Sequence, residues 1–119
     1  MNECTFCKIV KKEVLAQIIF ENDLVLAFAP LQQVAKGHTL VIPKQHFENI
    51  FDVDDLVLRE LISVSKKLSN KLVYDNTATG VNILNASGKD AQQSINHFHF
   101  HIVPRYPDDG LNVWVKQGL

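Results

Sequence analysis

The hydrophobic positions of one long segment recur with the period of a helix. Between residues 54 and about 73, apolar side chains are spaced three or four residues apart and form one stripe: Val57, Leu61, Val64, Leu68 and Leu72. This spacing is typical of an amphipathic helix that packs one side against a core. Asp54 and Asp55 fall in its first turn and its lysines in the second half, which is the arrangement that the helix dipole favours.

Shorter segments have the composition of β-strands. They are rich in branched and aromatic residues, and they cover residues 16–20, 23–29, 38–43, 80–85 and 97–103. The polar residues 21–23 predict a hairpin turn between the first two strands. A short helix capped by Thr5 is expected to run to about Lys12, and residues 86–94 are expected to form a polar loop. The sequence therefore predicts an α+β fold with a five-stranded antiparallel sheet, one long helix and a short N-terminal helix.

Length and composition narrow the class of protein. The chain of 119 residues fits a single domain, residues 1–119, and its 46% of hydrophobic residues can build a core. Twelve basic and 13 acidic residues leave a formal net charge of -1, which argues against a nucleic-acid partner. The longest apolar run, Leu24 to Leu31, is far shorter than the roughly 20 residues of a membrane span, and the N-terminus lacks a secretory signal. We therefore expect a cytoplasmic protein with no membrane partner.

Three of the five histidines lie in one predicted strand. His97, His99 and His101 alternate with Phe or Ile, so the imidazoles share one face of the strand and the apolar side chains the other. Such a row suits two chemistries: a catalytic zinc held by imidazoles, or nucleophilic attack by a neutral imidazole. Polar residues upstream are donors suited to phosphate oxygens, namely Asn85, Ser87, Gln92, Gln93 and Ser94.

Cys4 and Cys7 lie three residues apart. In a reducing compartment this spacing is more typical of half a metal site or a redox pair than of a structural disulfide. Two reduced thiols on a short amphipathic helix are the alternative. A thioredoxin-like role is disfavoured because no βαβ unit surrounds the pair.

Three motifs together resemble those of the histidine triad, or HIT, family. Residues 97–103 resemble its H-φ-H-φ-H-φ-φ signature, in which φ is apolar; residues 37–46 resemble its second motif, and residues 4–10 resemble the opening of its zinc-containing bacterial members. The resemblance spans residues 4 to about 106 and is strongest to the Hint-type branch of nucleoside phosphoramidate hydrolases. It implies a homodimer whose two sheets join into one of ten strands. It also implies hydrolysis or transfer at the α-phosphate of a purine nucleotide conjugate such as an AMP phosphoramidate.

The resemblance also implies roles for individual residues. His99 would attack phosphorus and form a nucleotidyl-histidine that water resolves, with its Nδ1–H bound to the backbone carbonyl of His97. His101 would contact the α-phosphate oxygens, and His38 would complete the polar cluster. The family's phosphate and leaving-group contacts are matched by Asn85, Gln93 and Ser94. Its apolar nucleobase cleft is matched by Phe6, Ile9, Phe28 and Leu31, which would otherwise be ordinary core residues.

The zinc-containing members suggest a structural zinc held by two thiolates and two imidazoles. The matching residues are Cys4, Cys7, His46 and His97. This ligand set is acceptable for a closed tetrahedral site. It would attach the N-terminal helix to the third and fifth strands and leave His99 free as the nucleophile.

Two positions depart from the family's pattern. Pro30 lies eight residues before His38, where the family usually carries an Asp that binds the ribose hydroxyls, and Gln92 replaces a Gly of the phosphate loop. Because Pro offers neither a side-chain acceptor nor a backbone N–H, we expect weak discrimination between ribose and deoxyribose. Two alternatives are a non-catalytic nucleotide-binding module and a metallo-hydrolase with zinc on His97, His99 and His101.

Overall fold

The computed structural model describes residues 4–115 and contains five strands and two α-helices. In chain order the elements are α1 (Thr5–Val10), β1 (Gln17–Glu21), β2 (Val25–Ala29), β3 (Thr39–Pro43), α2 (Asp55–Asn76), β4 (Gly80–Leu84) and β5 (Phe100–Arg105). The strands form one sheet in the order β1-β2-β3-β5-β4, and each neighbouring pair is antiparallel. The predicted fold class is confirmed.

The long helix α2 packs its predicted stripe against the sheet. All five stripe residues are at most 9% exposed: Val57, Leu61, Val64, Leu68 and Leu72. Asp54 caps the helix by accepting from the backbone N–H groups of Leu56 and Val57. The helix ends at Asn76, a few residues beyond the predicted end, where Thr77 adopts a left-handed φ of 62° and donates its N–H to the carbonyl of Leu72. Within residues 4–115, no helix has the length and apolar character needed to cross a membrane.

The two faces of the sheet carry separate apolar clusters. On one face, residues of β2, β3 and β5 such as Val25, Val41 and Ile102 pack beneath α2. On the other face, Phe6 and Ile9 of α1 pack on four strand residues, Leu26, Phe28, Leu40 and Ile42. Because β2 and β3 are buried on both faces, their sequences are nearly continuous apolar runs. The face that α1 covers is also the face of His101, which pairs with Leu40 across the sheet.

The N-terminal elements differ in detail from the prediction. Cys4, and not Thr5, caps α1, because its Sγ accepts from the Cys7 N–H at 3.4 Å. The helix ends at Val10 instead of about Lys12, which has a φ of 64°. β1 is shifted by one residue and begins at residue 17. β2 begins at residue 25, since the Asn22 side chain accepts from the N–H groups of residues 24 and 25 and holds them in the turn.

The last strand begins at Phe100, so the prediction that it starts at His97 is wrong. The ladder with β3 ends because Pro43, at the end of β3, has no N–H to donate. The Phe98 N–H donates instead to the carbonyl of Phe47 at 2.7 Å. The predicted alternation nevertheless holds, since Phe98 is buried beneath α2 while His99 lies on the opposite face against Phe6.

Candidate active site and metal centre

A row of aromatic rings runs along the face of the sheet that α1 covers. It begins at His38, which directly precedes β3. The centroid of the His38 ring lies 5.3 Å from that of His101. The His99 ring follows at 5.0 Å from His101. Phe6 lies next in the row, with its ring 5.2 Å from His99 and 5.8 Å from His97. Tertiary packing therefore brings His38 beside the triad, although it lies 63 positions before His101 in the chain.

Hydrogen bonds assign the protons of His38 and His101. The Val34 N–H donates to Nδ1 of His38 at 3.2 Å, so this nitrogen holds a lone pair and Nε2 holds the proton. Nε2 of His38 lies 3.0 Å from Nδ1 of His101 and donates to it. The proton of neutral His101 is therefore on Nε2, which is left as a hydrogen-bond donor. The Val34 N–H is a contribution that the sequence analysis missed.

His99 has the opposite tautomer. Its Nδ1 lies 2.8 Å from the backbone oxygen of His97, which can only accept, so Nδ1 holds the proton and Nε2 the lone pair. The two neighbouring imidazoles thus offer one lone pair, on His99, and one N–H donor, on His101. A lone pair suits nucleophilic attack, and a donor beside it suits the charge that develops on an oxygen during attack.

Burial keeps these imidazoles neutral near pH 7. His99 is 3% exposed, and burial lowers its pKa below the ordinary value of 6.5. Burial also lowers the pKa of His38. For His101, burial and then the nearby charges of His99 and His38 lower the pKa to about 4. A neutral imidazole keeps the lone pair that a nucleophile needs.

The two cysteines form a second cluster with His46 and His97 at the end of the row. The four candidate ligand atoms, two Sγ and two Nδ1, all lie within 4.8 Å of one another. Nδ1 of His97 is 3.3 Å from Cys4 Sγ and 3.1 Å from His46 Nδ1, and Cys7 Sγ is 3.3 Å from His46 Nδ1. A tetrahedral zinc with bonds of about 2.0–2.3 Å needs its ligand atoms roughly 3.3–3.8 Å apart. The three separations of 3.1 to 3.3 Å are close to this range, so the cluster could hold zinc.

The chemistry of the cluster fits zinc as well. Nε2 of His97 donates to the carbonyl of Pro43 at 2.8 Å, so the lone pair of His97 is on Nδ1 and points at the thiols. Burial lowers the pKa of His97 to about 4, which keeps it a neutral ligand. Among residues 4–115, this is the grouping of His, Cys, Asp or Glu that could hold a metal, and it excludes His99 and His101. The geometry therefore favours zinc on the thiols over zinc on the triad.

Asn85 holds the segment of the nucleophile in place. Its Nδ2 donates to the backbone carbonyl of His99 at 3.0 Å, and its Oδ1 accepts from the hydroxyl of Ser87 at 2.8 Å. The Ser87 oxygen in turn accepts from the N–H of Ile50 at 2.9 Å. The sequence indicates Asn85 as a phosphate contact but does not reveal these hydrogen bonds, because Ile50 and His99 come from distant parts of the sequence.

Gln93 connects the loop before β5 to the segment after His46. Its Nε2 donates to the carbonyls of Glu48 at 2.6 Å and Ile95 at 3.0 Å, and its Oε1 accepts from the Gly88 N–H at 2.8 Å. The neighbouring Gln92 has a φ of 69°, in the left-handed region that glycine favours. Ser94 lines a cavity of about 500 Å³ beside the thiol cluster, together with Cys4 and His46.

A separate cavity of about 310 Å³ lies beside α1. Its lining includes three of the predicted nucleobase residues, Ile9, Phe28 and Leu31, and also Pro30. Leu31 is fully exposed, whereas Ile9 and Phe28 are largely buried. Phe6, the fourth predicted residue, is 6% exposed and lies in the interior between the His97 and His99 rings.

Comparison with known proteins supports the resemblance to the HIT family that the motifs indicated. The sequence model of the family described as "HIT domain" matches residues 11–108. An uncharacterised HIT-like protein of Borreliella burgdorferi is 44% identical over 113 residues, which are 93% of this chain and 81% of that protein. The adenosine 5'-monophosphoramidase HNT1 of Saccharomyces cerevisiae is 35% identical over 96% of this chain and 71% of its own. The crystal structure of a zinc-bound histidine triad family protein from Mycobacterium smegmatis superposes with a TM-score of 0.90 at 32% identity, over 93% of this chain and 81% of that one.

Proposed function

The chain belongs to the HIT domain family, and from this premise we propose that it is a nucleotide hydrolase or transferase acting at the α-phosphate of nucleoside phosphoramidates. The observation that carries the proposal is the pair of opposite tautomers on His99 and His101, whose rings lie 5.0 Å apart. The name of the yeast relative, an adenosine monophosphoramidase, supports the same substrate class.

In this proposal the His99 imidazole carries the nucleotide covalently. Its Nε2 attacks phosphorus and the P–N bond of the phosphoramidate breaks, so that a nucleotidyl-histidine forms. The electron pair of the broken bond goes to the departing nitrogen, which takes a proton from solvent and leaves as the amine. The imidazole gains positive charge in this step, and the carbonyl of His97, 2.8 Å from Nδ1, lies where it stabilises that charge. The Nε2–H of His101 donates to a phosphate oxygen. Water then breaks the bond between nitrogen and phosphorus and restores the lone pair.

The rest of the nucleotide would occupy the surface next to this pair. The cavity of about 310 Å³ lined by Ile9, Phe28 and Leu31 is the proposed site of the purine base. The proposed phosphate and leaving-group contacts are Asn85, Gln93 and Ser94. To bind phosphate, the side chains of Asn85 and Gln93 would exchange their hydrogen bonds within the protein for hydrogen bonds to the substrate. Pro30 lines the same cavity and offers no acceptor to the ribose hydroxyls, so the expected discrimination against deoxyribose is weak.

Zinc and a second subunit complete the proposal. Zinc on Cys4, Cys7, His46 and His97 would supply a structural link between α1 and the segments that follow β3 and precede β5. The homodimer stays a prediction. It is supported by the position of β4 at one edge of the sheet, where a second copy of the strand can pair.

Kinetics of a His99→Ala variant on adenosine phosphoramidate test the proposal. We expect a loss in kcat of at least about 10³-fold, because the step that forms the intermediate is removed. Wild-type protein quenched during turnover should gain the mass of one nucleotidyl group, and the variant should not. Asn70→Ala, at an exposed position of α2, is the control for handling and folding.

Two results would contradict the proposal in different ways. A variant that keeps more than about a tenth of wild-type kcat, a loss below ~1.4 kcal/mol, would exclude His99 as the nucleophile. Wild-type protein that binds AMP but releases no product would be a nucleotide-binding module and not an enzyme.

A further inference from the structure

Phe6 lies between the metal centre and the proposed nucleophile. Its ring meets His97 edge-on at 5.8 Å and 72°, and it meets His99 edge-on at 5.2 Å and 90°. The side chain is 6% exposed, so it is packed on its remaining sides, including against Phe28 at 5.4 Å. It is thus a ring in contact with one proposed zinc ligand and with the nucleophile at once.

The position of Phe6 depends on the thiols that flank it. Phe6 lies between Cys4 and Cys7 in the first turn of α1, and Cys4 Sγ accepts from the Cys7 N–H at 3.4 Å. Both sulfur atoms lie 3.3 to 3.5 Å from Nδ1 of His97. α1 has only six residues, and so short a helix is not stable by itself. A metal bound to the thiols would therefore hold the backbone that carries the Phe6 ring.

A hydrogen bond and a second neighbouring ring also hold the His99 ring. One hydrogen bond, from Nδ1 to the carbonyl of His97, fixes its tautomer, and the His101 ring lies against it edge-on at 68°. Phe6 occupies another side. A smaller or displaced side chain at position 6 would leave space in which the His99 ring can rotate and lose its hydrogen bond.

We propose that Phe6 is a positioning residue for His99, and that metal bound by Cys4, Cys7, His46 and His97 orders the nucleophile through Phe6. This inference rests on the proposed function for the role of His99. The metal then acts on the reaction without touching the substrate, because it fixes the ring that limits the movement of the nucleophile.

The experiment compares Phe6→Leu with a matched control, Phe20→Leu. Phe20 is also partly buried but packs on the other face, beneath α2. Each protein is loaded with zinc, its zinc content per chain is measured, and its fold is checked by the amide NMR spectrum. The ring nitrogens of ¹⁵N-labelled histidine then report the tautomer of His99, whose signals are assigned by their loss in His99→Gln. Kinetics on adenosine phosphoramidate complete the set.

For zinc-loaded Phe6→Leu we expect a mixture of His99 tautomers and a kcat lower by about 10- to 100-fold, the usual effect of a small misplacement of a reacting group. We expect KM to change by less than about threefold, since the Phe6 side chain is only 6% exposed and does not line the cavity proposed for the base. Phe20→Leu should keep the single Nδ1–H tautomer and the wild-type kcat. Removal of zinc from the wild type should produce the same mixture of tautomers as Phe6→Leu.

The proposal is overturned if zinc-loaded Phe6→Leu keeps one tautomer and the wild-type kcat, since Phe6 would then be core packing only. Should Phe6→Leu fail to fold or to bind zinc, Phe6→Met, which is closer to Phe in volume, and the zinc-free wild type replace it. A His99 tautomer that is unchanged in the folded, zinc-free wild type also overturns the proposal. Because the NMR measurements do not require turnover, they decide this question even if the substrate proposed above is wrong.

Discussion

Substitution of Gly37 by Ala should destabilise the protein far more than the added methyl group suggests. Gly37 has a φ of 91°, which side-chain-bearing residues rarely adopt, and a Cβ there would lie 2.8 Å from Cδ2 of Leu72 and 3.2 Å from Cγ of Pro104. The backbone strain costs roughly 1–3 kcal/mol. Overpacking against the helix and strand costs a further 1–3 kcal/mol, roughly. We therefore expect the free energy of unfolding to fall by about 2–6 kcal/mol, a large part of the total for a domain of this size.

Two other glycines separate these contributions. A Cβ at Gly88 would meet no atom within 4 Å, but its φ is 99°, so Gly88→Ala measures backbone strain alone. A Cβ at Gly80 would also meet no atom within 4 Å, and the φ of Gly80 lies outside the left-handed region. Gly80→Ala should therefore change stability by less than about 1 kcal/mol. Urea unfolding at one fixed protein concentration, followed by circular dichroism, gives the free energy for each variant. If Gly37→Ala were no less stable than Gly88→Ala, the crowding against Leu72 would be refuted.

The same substitution should also reduce activity. His38 follows Gly37 directly, its N–H donates to the carbonyl of Ala35 at 3.0 Å, and its Nδ1 accepts from the Val34 N–H. A shift of this turn would move His38 away from His101 and break the hydrogen bond from His38 Nε2 to His101 Nδ1. His101 would then no longer be held in the tautomer that has its proton on Nε2. A folded Gly37→Ala variant with wild-type kcat would contradict this link.

Three further predictions concern the metal, pH and the loop before β5. A chelator should lower the melting temperature of zinc-loaded protein, and Cys7→Ser should melt at that lower temperature whether or not a chelator is present. If the melting temperature of the wild type did not change with the chelator, a structural zinc would be contradicted. Burial lowers the pKa values of His38, His99 and His101, that of His101 to about 4. Below the ordinary histidine pKa of 6.5, the folded state therefore binds fewer protons than the unfolded state. Stability should therefore be full above that pH and fall as the pH decreases towards 4, with a shallower fall in His101→Asn; a urea midpoint independent of pH would refute the argument. Gln92→Gly should raise stability by up to about 1 kcal/mol, because it relieves the cost of a left-handed residue, and a loss of stability would refute the assignment of strain to its φ of 69°.

The local periodicities of the sequence determined most of the fold. The stripe from Val57 to Leu72 predicted α2, and the alternation of His with Phe and Ile predicted which side chains of the last strand face the core. These features depend on the period of one element and the need to bury its apolar side, so neighbouring residues suffice to identify them. The ends of the elements were less predictable. Pro43 stops the ladder that would have made His97 part of β5, and that effect requires knowledge of which strand is its neighbour.

The tertiary structure decided how the candidate site works. The sequence placed His99 and His101 together, but their opposite tautomers depend on the carbonyl of His97 and on His38, which is itself fixed by the Val34 N–H. Asn85 was identifiable as a polar residue near the triad, yet its bond to the carbonyl of His99 was not. The sequence contains the donors and acceptors, whereas the protonation of each nitrogen is set by the partner that folding brings to it from a distant part of the chain.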